Sequence, residues 1–113
     1  MTLSITPTGA ACGAVVTGVD LSQELSPDLV ADIRNHWLTH KVLVFPQQRL
    51  DTDQLVRFSR YFGEIGEDPF FGHIEESPYI AAVQRNADET TPIFAEIFHS
   101  DWSFLPIPPA GTC

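Results

Sequence analysis

The sequence predicts one small α+β domain in which two helices flank a set of short strands. Two windows place apolar residues at helical spacing, and four runs of four to six residues are apolar or alternate between apolar and polar. A hydrophobic fraction of 43% and twelve aromatic side chains supply material for a core. The 113 residues leave room for a single domain, so residues 1–113 are treated as one.

Two short strands are expected before the first helix. Leu3–Thr6 alternates apolar and polar residues and then meets Pro7 and Gly9, which indicates an edge strand entering a turn. Ala14–Val19 is the second candidate, ended by Asp20.

The first helix is predicted to open at Ser26, the N-cap, with Pro27 as its first residue and Asp28 near the positive end of the dipole. One apolar face follows at helical spacing: Leu29, Val30, Ile33 and Trp37.

Two histidines, His36 and His40, lie four residues apart at the edge of this face. That spacing can place two imidazoles on one metal ion, but no Glu stands between them as in the zinc-protease pattern. Both are interpreted as structural, because His40 and Lys41 fall in the last turn, where cations suit the helix dipole.

A buried strand and a second helix are predicted next. Val42–Phe45 is a continuous apolar run, which is typical of a strand covered on both faces. Asp51 and Gln54 form a variant of the capping box, and Gly63 stands at the expected C′ position. The buried face of this helix is marked by Leu55, Phe58 and Phe62.

The remainder is predicted as an acidic loop, a strand and an extended tail. The loop covers Glu64–Pro78, and Tyr79–Val83 follows as a strand. After a polar turn region, Ile93–Phe94 and Ile97–Phe98 lead into a further strand that carries His99.

Charge and composition exclude several functional classes. Six basic and fifteen acidic residues give a net charge of −9, which argues against nucleic-acid binding. Cys12 and Cys113 make neither a disulfide framework nor a zinc signature. No signal peptide or membrane span is visible, so a reducing cytoplasm is the expected location, without a membrane partner.

The candidate chemistry lies in the segment Phe98–Phe104. His99 and Asp101 are two residues apart, so on a β-strand both side chains leave the same face. An imidazole nitrogen and a carboxylate oxygen are two of the three ligands in the facial triad that holds non-haem Fe(II). Read alone, the pair is also compatible with a structural contact in which the carboxylate fixes the imidazole tautomer.

Several segments together resemble the N-terminal part of the taurine dioxygenase (TauD/TfdA) family of Fe(II)- and 2-oxoglutarate-dependent oxygenases. Their order and spacing agree over nearly the whole chain. The matching segments are Leu3–Pro7, Gly18–Ser22, Leu25–Ser26, His40–Phe45, Arg60–Glu64, His99–Phe104 and Pro108–Gly111.

The resemblance implies the N-terminal part of a double-stranded β-helix (jelly-roll) fold with helices packed outside it. His99 and Asp101 would then be iron ligands, 2-oxoglutarate the cosubstrate and O₂ the oxidant for hydroxylation of a small organic molecule. The family's second metal His, and its Thr and Arg residues for 2-oxoglutarate, would lie beyond Cys113. The isolated chain is therefore expected to be a truncated form without oxygenase activity.

Substrate recognition departs from the taurine-using members. Their substrate-contacting His, Tyr and Asn correspond, counted without gaps, to Asp68, Phe71 and Ala95, and none keeps its type. If the loop is shifted, His73 takes the place of the family's substrate-contacting His. Otherwise it is a solvated loop residue. Trp102 follows the metal Asp and either walls the substrate site or belongs to the core. We predict a substrate site that includes His73, Trp102 and Phe71, for a small anion such as a sulfonate, a sulfate ester or an aryloxy acid.

Two other classes stay open. The alternatives to an oxygenase fragment are a non-catalytic remnant and a small metal-binding or interaction module that uses His99 and Asp101, with or without His73. A homo-oligomer is one way to cover the sheet edges and the apolar face that a partial jelly roll would expose.

Overall fold

The computed structural model describes residues 2–66, 70–93 and 95–113, and these residues form two compact units. Unit 1 is Met1–Glu64 and unit 2 is Ile65–Cys113. The described residues contain two helices and five short strands, consistent with the predicted mixture of helices and strands. They do not amount to a jelly roll, which stays a prediction. Neither described helix has the length and apolar content that crossing a membrane requires.

Unit 1 is built on a three-stranded sheet in the order β1-β2-β3. Strand β1, Ser4–Pro7, runs antiparallel to β2, Ala14–Thr17, while β3, Leu43–Val44, runs parallel to β2. The second predicted strand ends two residues early because Gly18 adopts a φ of 84°. A Cβ at Gly18 would stand 2.3 Å from the Thr2 carbonyl oxygen, so only glycine allows this close approach.

Helix α1, Pro27–His40, connects the two parallel strands and begins as predicted. Ser26 Oγ accepts a hydrogen bond from the Leu29 N–H at 3.2 Å, and Pro27 is the first helical residue. Ile33 is buried, and the predicted face of this helix packs inward with it. At its C-terminal end the His40 carbonyl accepts from the Gly13 N–H at 2.8 Å, which joins the helix to the start of β2.

Strand β3 corrects the prediction of a buried strand at Val42–Phe45. It is the edge strand of the described sheet, and only Leu43–Val44 is paired. Leu43 and Phe45 pack on the core, whereas Val42 and Val44 are 51% and 48% exposed. A continuous apolar run therefore alternates between the core and the surface, because only one face of this sheet is covered here.

Helix α2, Thr52–Arg60, confirms the predicted capping box. Asp51 Oδ1 accepts from the Gln54 N–H at 2.8 Å, and Gln54 Oε1 accepts from the Asp51 N–H at 3.0 Å. The helix ends at Arg60 with Tyr61 as C-cap, so Phe62 occupies C′. Gly63, which was predicted at C′, lies one position further along the chain.

The core of unit 1 lies between the sheet and α2. Its buried members are Val16, Val19, Leu21 and Phe58. The Phe58 ring meets the rings of Phe45, Tyr61 and Phe62 edge to face, with centroids 5.2 to 6.5 Å apart. These contacts tie β3, α2 and the segment after α2 into one cluster.

Side chains of residues 48, 57 and 61 hold the loop between β2 and α1. Gln48 accepts from the Leu21 N–H and donates to the Val19 carbonyl, both at 2.9 Å. Arg57 donates to the Ser22 carbonyl at 2.5 Å, and the Tyr61 hydroxyl accepts from the Leu25 N–H at 3.0 Å. The loop backbone therefore finds its hydrogen-bond partners in distant side chains rather than in a strand.

Unit 2 contains one hairpin, formed by β4, His73–Ile74, and β5, Ser77–Ala81. The predicted loop at Glu64–Pro78 is wrong in its second half, where both strands begin. The predicted strand Tyr79–Val83 is shifted two residues toward the N-terminus. Residues 95–113 contain no strand, so the expected strand at His99 is absent from the described structure. The predictions that involve Asp68 and Phe94 lie outside the described residues.

Candidate functional site

His99 and Asp101 form a close pair even though no strand carries them. His99 Nε2 lies 2.9 Å from Asp101 Oδ1, in a segment of turns within unit 2. The pair was predicted from a strand, in which alternate side chains share a face. Here the two side chains approach each other in a segment of turns rather than on a strand, and their role as metal ligands stays a prediction.

The second ring nitrogen of His99 is fixed by the backbone. Nδ1 lies 2.7 Å from the Ile97 carbonyl oxygen, which can only accept, so Nδ1 carries the proton and donates. This leaves Nε2 as the nitrogen that faces Asp101. A ligating histidine usually donates its other N–H to a carbonyl or carboxylate in this way, because the hydrogen bond fixes the tautomer and the ring orientation.

These contacts also change the acidity of the imidazole. The Ile97 carbonyl, and after it the Asp101 carboxylate, raise the pKa of His99 above its ordinary value of 6.5. Both groups stay accessible, with side-chain exposures of 41% for His99 and 59% for Asp101.

The donor set suits a divalent transition metal, since imidazole nitrogen and carboxylate oxygen both bind Fe(II), Mn(II) and Zn(II). Among residues 2–66, 70–93 and 95–113, no group of three His, Cys, Asp or Glu side chains is placed to hold a metal ion. The described residues therefore bring together one imidazole and one carboxylate, and no third side chain of these types completes a metal-binding group with them.

His73 is not joined to this pair in a three-ligand group. It is exposed on β4, and its Nδ1 lies 2.8 Å from the Ile74 carbonyl oxygen. A small metal module built from His73, His99 and Asp101 therefore lacks support. His36 is 3.5 Å from Asp32, and its ring stacks on His40 with centroids 6.1 Å apart, which agrees with the structural interpretation of both histidines.

Trp102, one of the predicted substrate residues, is placed beside an aromatic ring that the prediction did not include. Trp102 is half-buried, and its ring stacks on Phe70 with centroids 5.4 Å apart and planes 13° apart. Phe70, which the sequence analysis did not single out, is thus the phenylalanine of this segment whose ring stacks on Trp102. Phe71 is half-buried in the same segment. The sequence alone did not show which of these two adjacent phenylalanines would contact Trp102.

A shallow depression lies beside His99. It has a volume of about 310 Å³ and is lined by Ala95, Glu96, Ile97, Phe98 and His99. Ala95 has a φ of 58°, a left-handed conformation that costs an alanine some strain. The position that the taurine-using members fill with Asn is thus a small residue at the edge of an open surface.

The chain matches the family model described as taurine catabolism dioxygenase TauD, TfdA family, over residues 4–113. Two curated relatives are named (S)-phenoxypropionate/alpha-ketoglutarate-dioxygenase. That of Delftia acidovorans is 48% identical over 64 residues, covering 57% of this chain and 22% of the relative. That of Sphingobium herbicidovorans is 30% identical over 109 residues, covering 95% of this chain and 38% of the relative. The chain thus spans well under half the length of both relatives.

Solved structures agree with these matches. A taurine dioxygenase from Burkholderia xenovorans superposes with a TM-score of 0.64 at 38% identity, covering 74% of this chain and 31% of that one. AAD-2, solved in complex with Mn(II) and N-oxalylglycine, gives a TM-score of 0.57 at 27% identity, covering 58% of this chain and 24% of that one.

Proposed function

Because the chain belongs to the TauD/TfdA family of dioxygenases, we propose that it contributes two of the three protein ligands to the metal site of a 2-oxoglutarate-dependent oxygenase. The curated relatives are named for the use of alpha-ketoglutarate, which is 2-oxoglutarate. The proposal concerns the whole protein that carries this chain, since the matched relatives are much longer.

The paired side chains of His99 and Asp101 carry the proposal. His99 Nε2 and Asp101 Oδ1 would bind Fe(II), and the Ile97 carbonyl would hold the imidazole in the tautomer that leaves Nε2 free to coordinate. Bound Fe(II) and 2-oxoglutarate would together supply the activation of O₂ and the oxidation of a substrate C–H bond. Mn(II) and N-oxalylglycine in the AAD-2 complex support a metal and an oxo-acid analogue in this fold.

The charge of unit 2 favours a cation and disfavours anions. Residues 65–113 contain eight acidic residues and one basic residue, a net charge of −7. This field attracts a divalent metal ion. The one basic residue, Arg85, donates to the carbonyls of Glu89 and Thr91 at 3.0 and 2.8 Å. We therefore assign the binding of the 2-oxoglutarate carboxylates to residues outside this chain.

The proposed substrate is a small organic anion. The relatives and structural neighbours are named for taurine, an alkyl sulfonate, and for phenoxypropionate, an aryloxy carboxylate. Both the sulfonate and the aryloxy acid of the sequence analysis remain within this class. Asp101 and His99 would place the metal at the surface of unit 2 beside Trp102, so the chain itself would contribute to the wall that faces the substrate.

Metal binding by the native polypeptide tests the proposal directly. Mn(II) bound at His99 and Asp101 loses the sharp electron paramagnetic resonance signal of the aqueous ion, so the free ion can be titrated. We expect His99→Ala and Asp101→Ala to weaken binding by tenfold or more, as loss of a ligand would, since loss of an outer-shell partner alone costs about 10- to 100-fold.

Two other histidines supply matched controls. His73→Ala removes an imidazole whose Nδ1 also contacts a backbone carbonyl, and His36→Ala removes one that lies beside a carboxylate. Neither change should alter Mn(II) affinity. Unchanged affinity in His99→Ala would disprove the assignment, and equal losses in all four variants would point to a general effect on folding.

A further inference from the structure

Four residues with metal-binding side chains follow one another along a single row of helix α1. They are Asp28, Asp32, His36 and His40, each four residues after the one before. Side chains at this spacing lie one above the other on the same side of a helix. The helix therefore presents two carboxylates and then two imidazoles along one line.

The two imidazoles of this row already stand side by side. The ring centroids of His36 and His40 are 6.1 Å apart, and their planes differ by 15°. Two histidines four residues apart on a helix can coordinate one ion together, which is the arrangement that zinc proteases use. The contacts that explain both residues in the metal-free chain thus also prepare them to share an ion.

The surroundings of the pair favour a cation. His36 Nε2 lies 3.5 Å from Asp32 Oδ1, so a negative charge stands beside a nitrogen that can coordinate. The side chains of His36 and Asp32 are 32% and 54% exposed, and His40 is half-buried. An ion from solution can therefore reach the two rings without opening the core of unit 1.

The helix backbone beneath the pair is held in place by the rest of unit 1. Ile33 is buried, and the Trp37 ring meets the Phe62 ring edge to face with centroids 6.1 Å apart. The His40 carbonyl accepts from the Gly13 N–H at 2.8 Å. Because the backbone positions of both imidazoles are already fixed, binding an ion costs little ordering of the chain.

We propose that His36 and His40 form a chelating site on unit 1 for a late first-row divalent ion: Cu(II), Ni(II) or Zn(II). Imidazole nitrogen suits these ions, and Mn(II) stands lowest in the order of affinities for such a site. Water completes the coordination, since no group of three ligating side chains is placed to hold an ion in the described ranges. The inference uses neither His99 nor Asp101, so it does not depend on the oxygenase proposal.

Ni(II) binding to the native polypeptide, measured by equilibrium dialysis, tests the site. Every sample carries His99→Ala, because His99 would also take Ni(II). We expect His36→Ala and His40→Ala each to weaken the binding of one Ni(II) ion by about tenfold or more, because a single imidazole lacks the second, intramolecular bond. His73→Ala is the matched control, since it removes an exposed imidazole from a strand and should leave this binding unchanged.

A change of spacing separates chelation from the number of histidines. His40→Ala combined with Leu38→His keeps two imidazoles on α1 but places them two residues apart, on different sides of the helix. Leu38 is 55% exposed, so this change does not disturb the core. The double variant should bind Ni(II) as weakly as His40→Ala alone. Binding as tight as in the parent would overturn the inference.

Urea unfolding distinguishes a lost site from a damaged helix. An ion that binds the folded helix stabilises it by mass action, so Ni(II) should raise the urea midpoint of unit 1 in the parent and not in His36→Ala or His40→Ala. Without Ni(II), His36→Ala should unfold at the midpoint of the parent. Unchanged Ni(II) affinity in both single variants, or a midpoint shift that survives in both, would show that the two histidines do not form the site.

Discussion

The two units of this chain treat their apolar side chains in opposite ways. All six buried hydrophobic residues of the described structure belong to unit 1, and unit 2 buries only the polar side chain of Ser77. Among the described residues, eleven large hydrophobic side chains are exposed, and eight of these belong to unit 2. Unit 2 also carries a net charge of −7, against −2 in unit 1.

This contrast separates the part of the chain that is stable by its own burial from the part that carries the proposed chemistry. Unit 1 is stabilised by the apolar area that its folding removes from water. The described residues of unit 2 have hydrogen bonds, one hairpin and the ring contacts among Phe70, Trp102 and Phe104, but little buried apolar area. The proposed metal ligands therefore lie on the less self-sufficient unit, where bound metal and further protein surface would add the most stability.

The largest expected difference comes from removing one phenylalanine from each unit. Phe58→Ala should lower the free energy of unfolding of unit 1 by about 3–5 kcal/mol, because Phe58 is buried among three other rings. Phe98→Ala should change the stability of unit 2 by less than about 0.5 kcal/mol, because Phe98 is fully exposed. Urea unfolding measures both.

Each unit has its own fluorescent reporter for this experiment. Trp37 lies in unit 1 and Trp102 in unit 2, and replacing either one by Phe leaves a single reporter. Similar losses of stability from Phe58→Ala and Phe98→Ala would contradict the contrast, and would mean that Phe98 is covered in solution.

A smaller difference is expected for side chains that bond to backbone. Gln48→Ala should destabilise unit 1 by about 1–3 kcal/mol, because it leaves the part-buried Leu21 N–H and Val19 carbonyl without their partner. Arg85→Ala removes two comparable bonds in unit 2 and should cost less than about 1 kcal/mol, since the exposed carbonyls of Glu89 and Thr91 can bind water instead.

The same urea titrations check this prediction, and Gln48→Glu serves as a control. Glutamate keeps the oxygen that accepts from Leu21 but loses the donor to Val19, so its effect should be intermediate. A cost for Arg85→Ala as large as that for Gln48→Ala would show that the backbone of unit 2 is less accessible to water than described.

The smallest expected difference between the two units is in how their stability depends on pH. In unit 1, hydrogen bonds from the Ser22 hydroxyl and N–H lower the pKa of Asp20 below 3.8, so its stabilisation is present above that value and is lost as the pH falls through the lowered pKa. In unit 2 the pKa of His99 is raised above 6.5, so its stabilisation is present below that value and is lost as the pH rises through the raised pKa.

Titration by nuclear magnetic resonance of the metal-free chain measures both groups. Ser22→Ala should raise the pKa of Asp20, and Asp101→Asn should lower that of His99 only in part, because the Ile97 carbonyl is the larger cause. A parent His99 that titrates at or below 6.5 would contradict the described pair.

Local signals predicted the helices well. Ser26 and the Asp51–Gln54 box fixed both helix starts, because capping is settled within three residues. The sequence could not predict the extent of β3, because an apolar run such as Val42–Phe45 is compatible both with a strand covered on two faces and with an edge strand. Which of the two occurs depends on neighbours that the run does not encode.

The site shows a similar limit. The types and spacing of His99 and Asp101 pointed to a metal pair, but a turn and not a strand brings their atoms together. The Ile97 carbonyl as partner of Nδ1 left no mark in the sequence, because a backbone oxygen is present at every residue. Phe70 and Phe71 are the same residue type at adjacent positions, so only the structure shows that the ring of Phe70 stacks on Trp102.

The parallel pairing of β2 with β3 has a consequence for biosynthesis. The pairing requires only residues 14–44. The side chains that hold the loop between β2 and α1 have all been synthesised once residue 61 is added. At translation rates of about 5–20 residues per second, residues 65–113 take roughly 2–10 s to be made, whereas small domains fold within microseconds to seconds. Unit 1 therefore has time to fold on the ribosome before the segment with His99 and Asp101 has emerged.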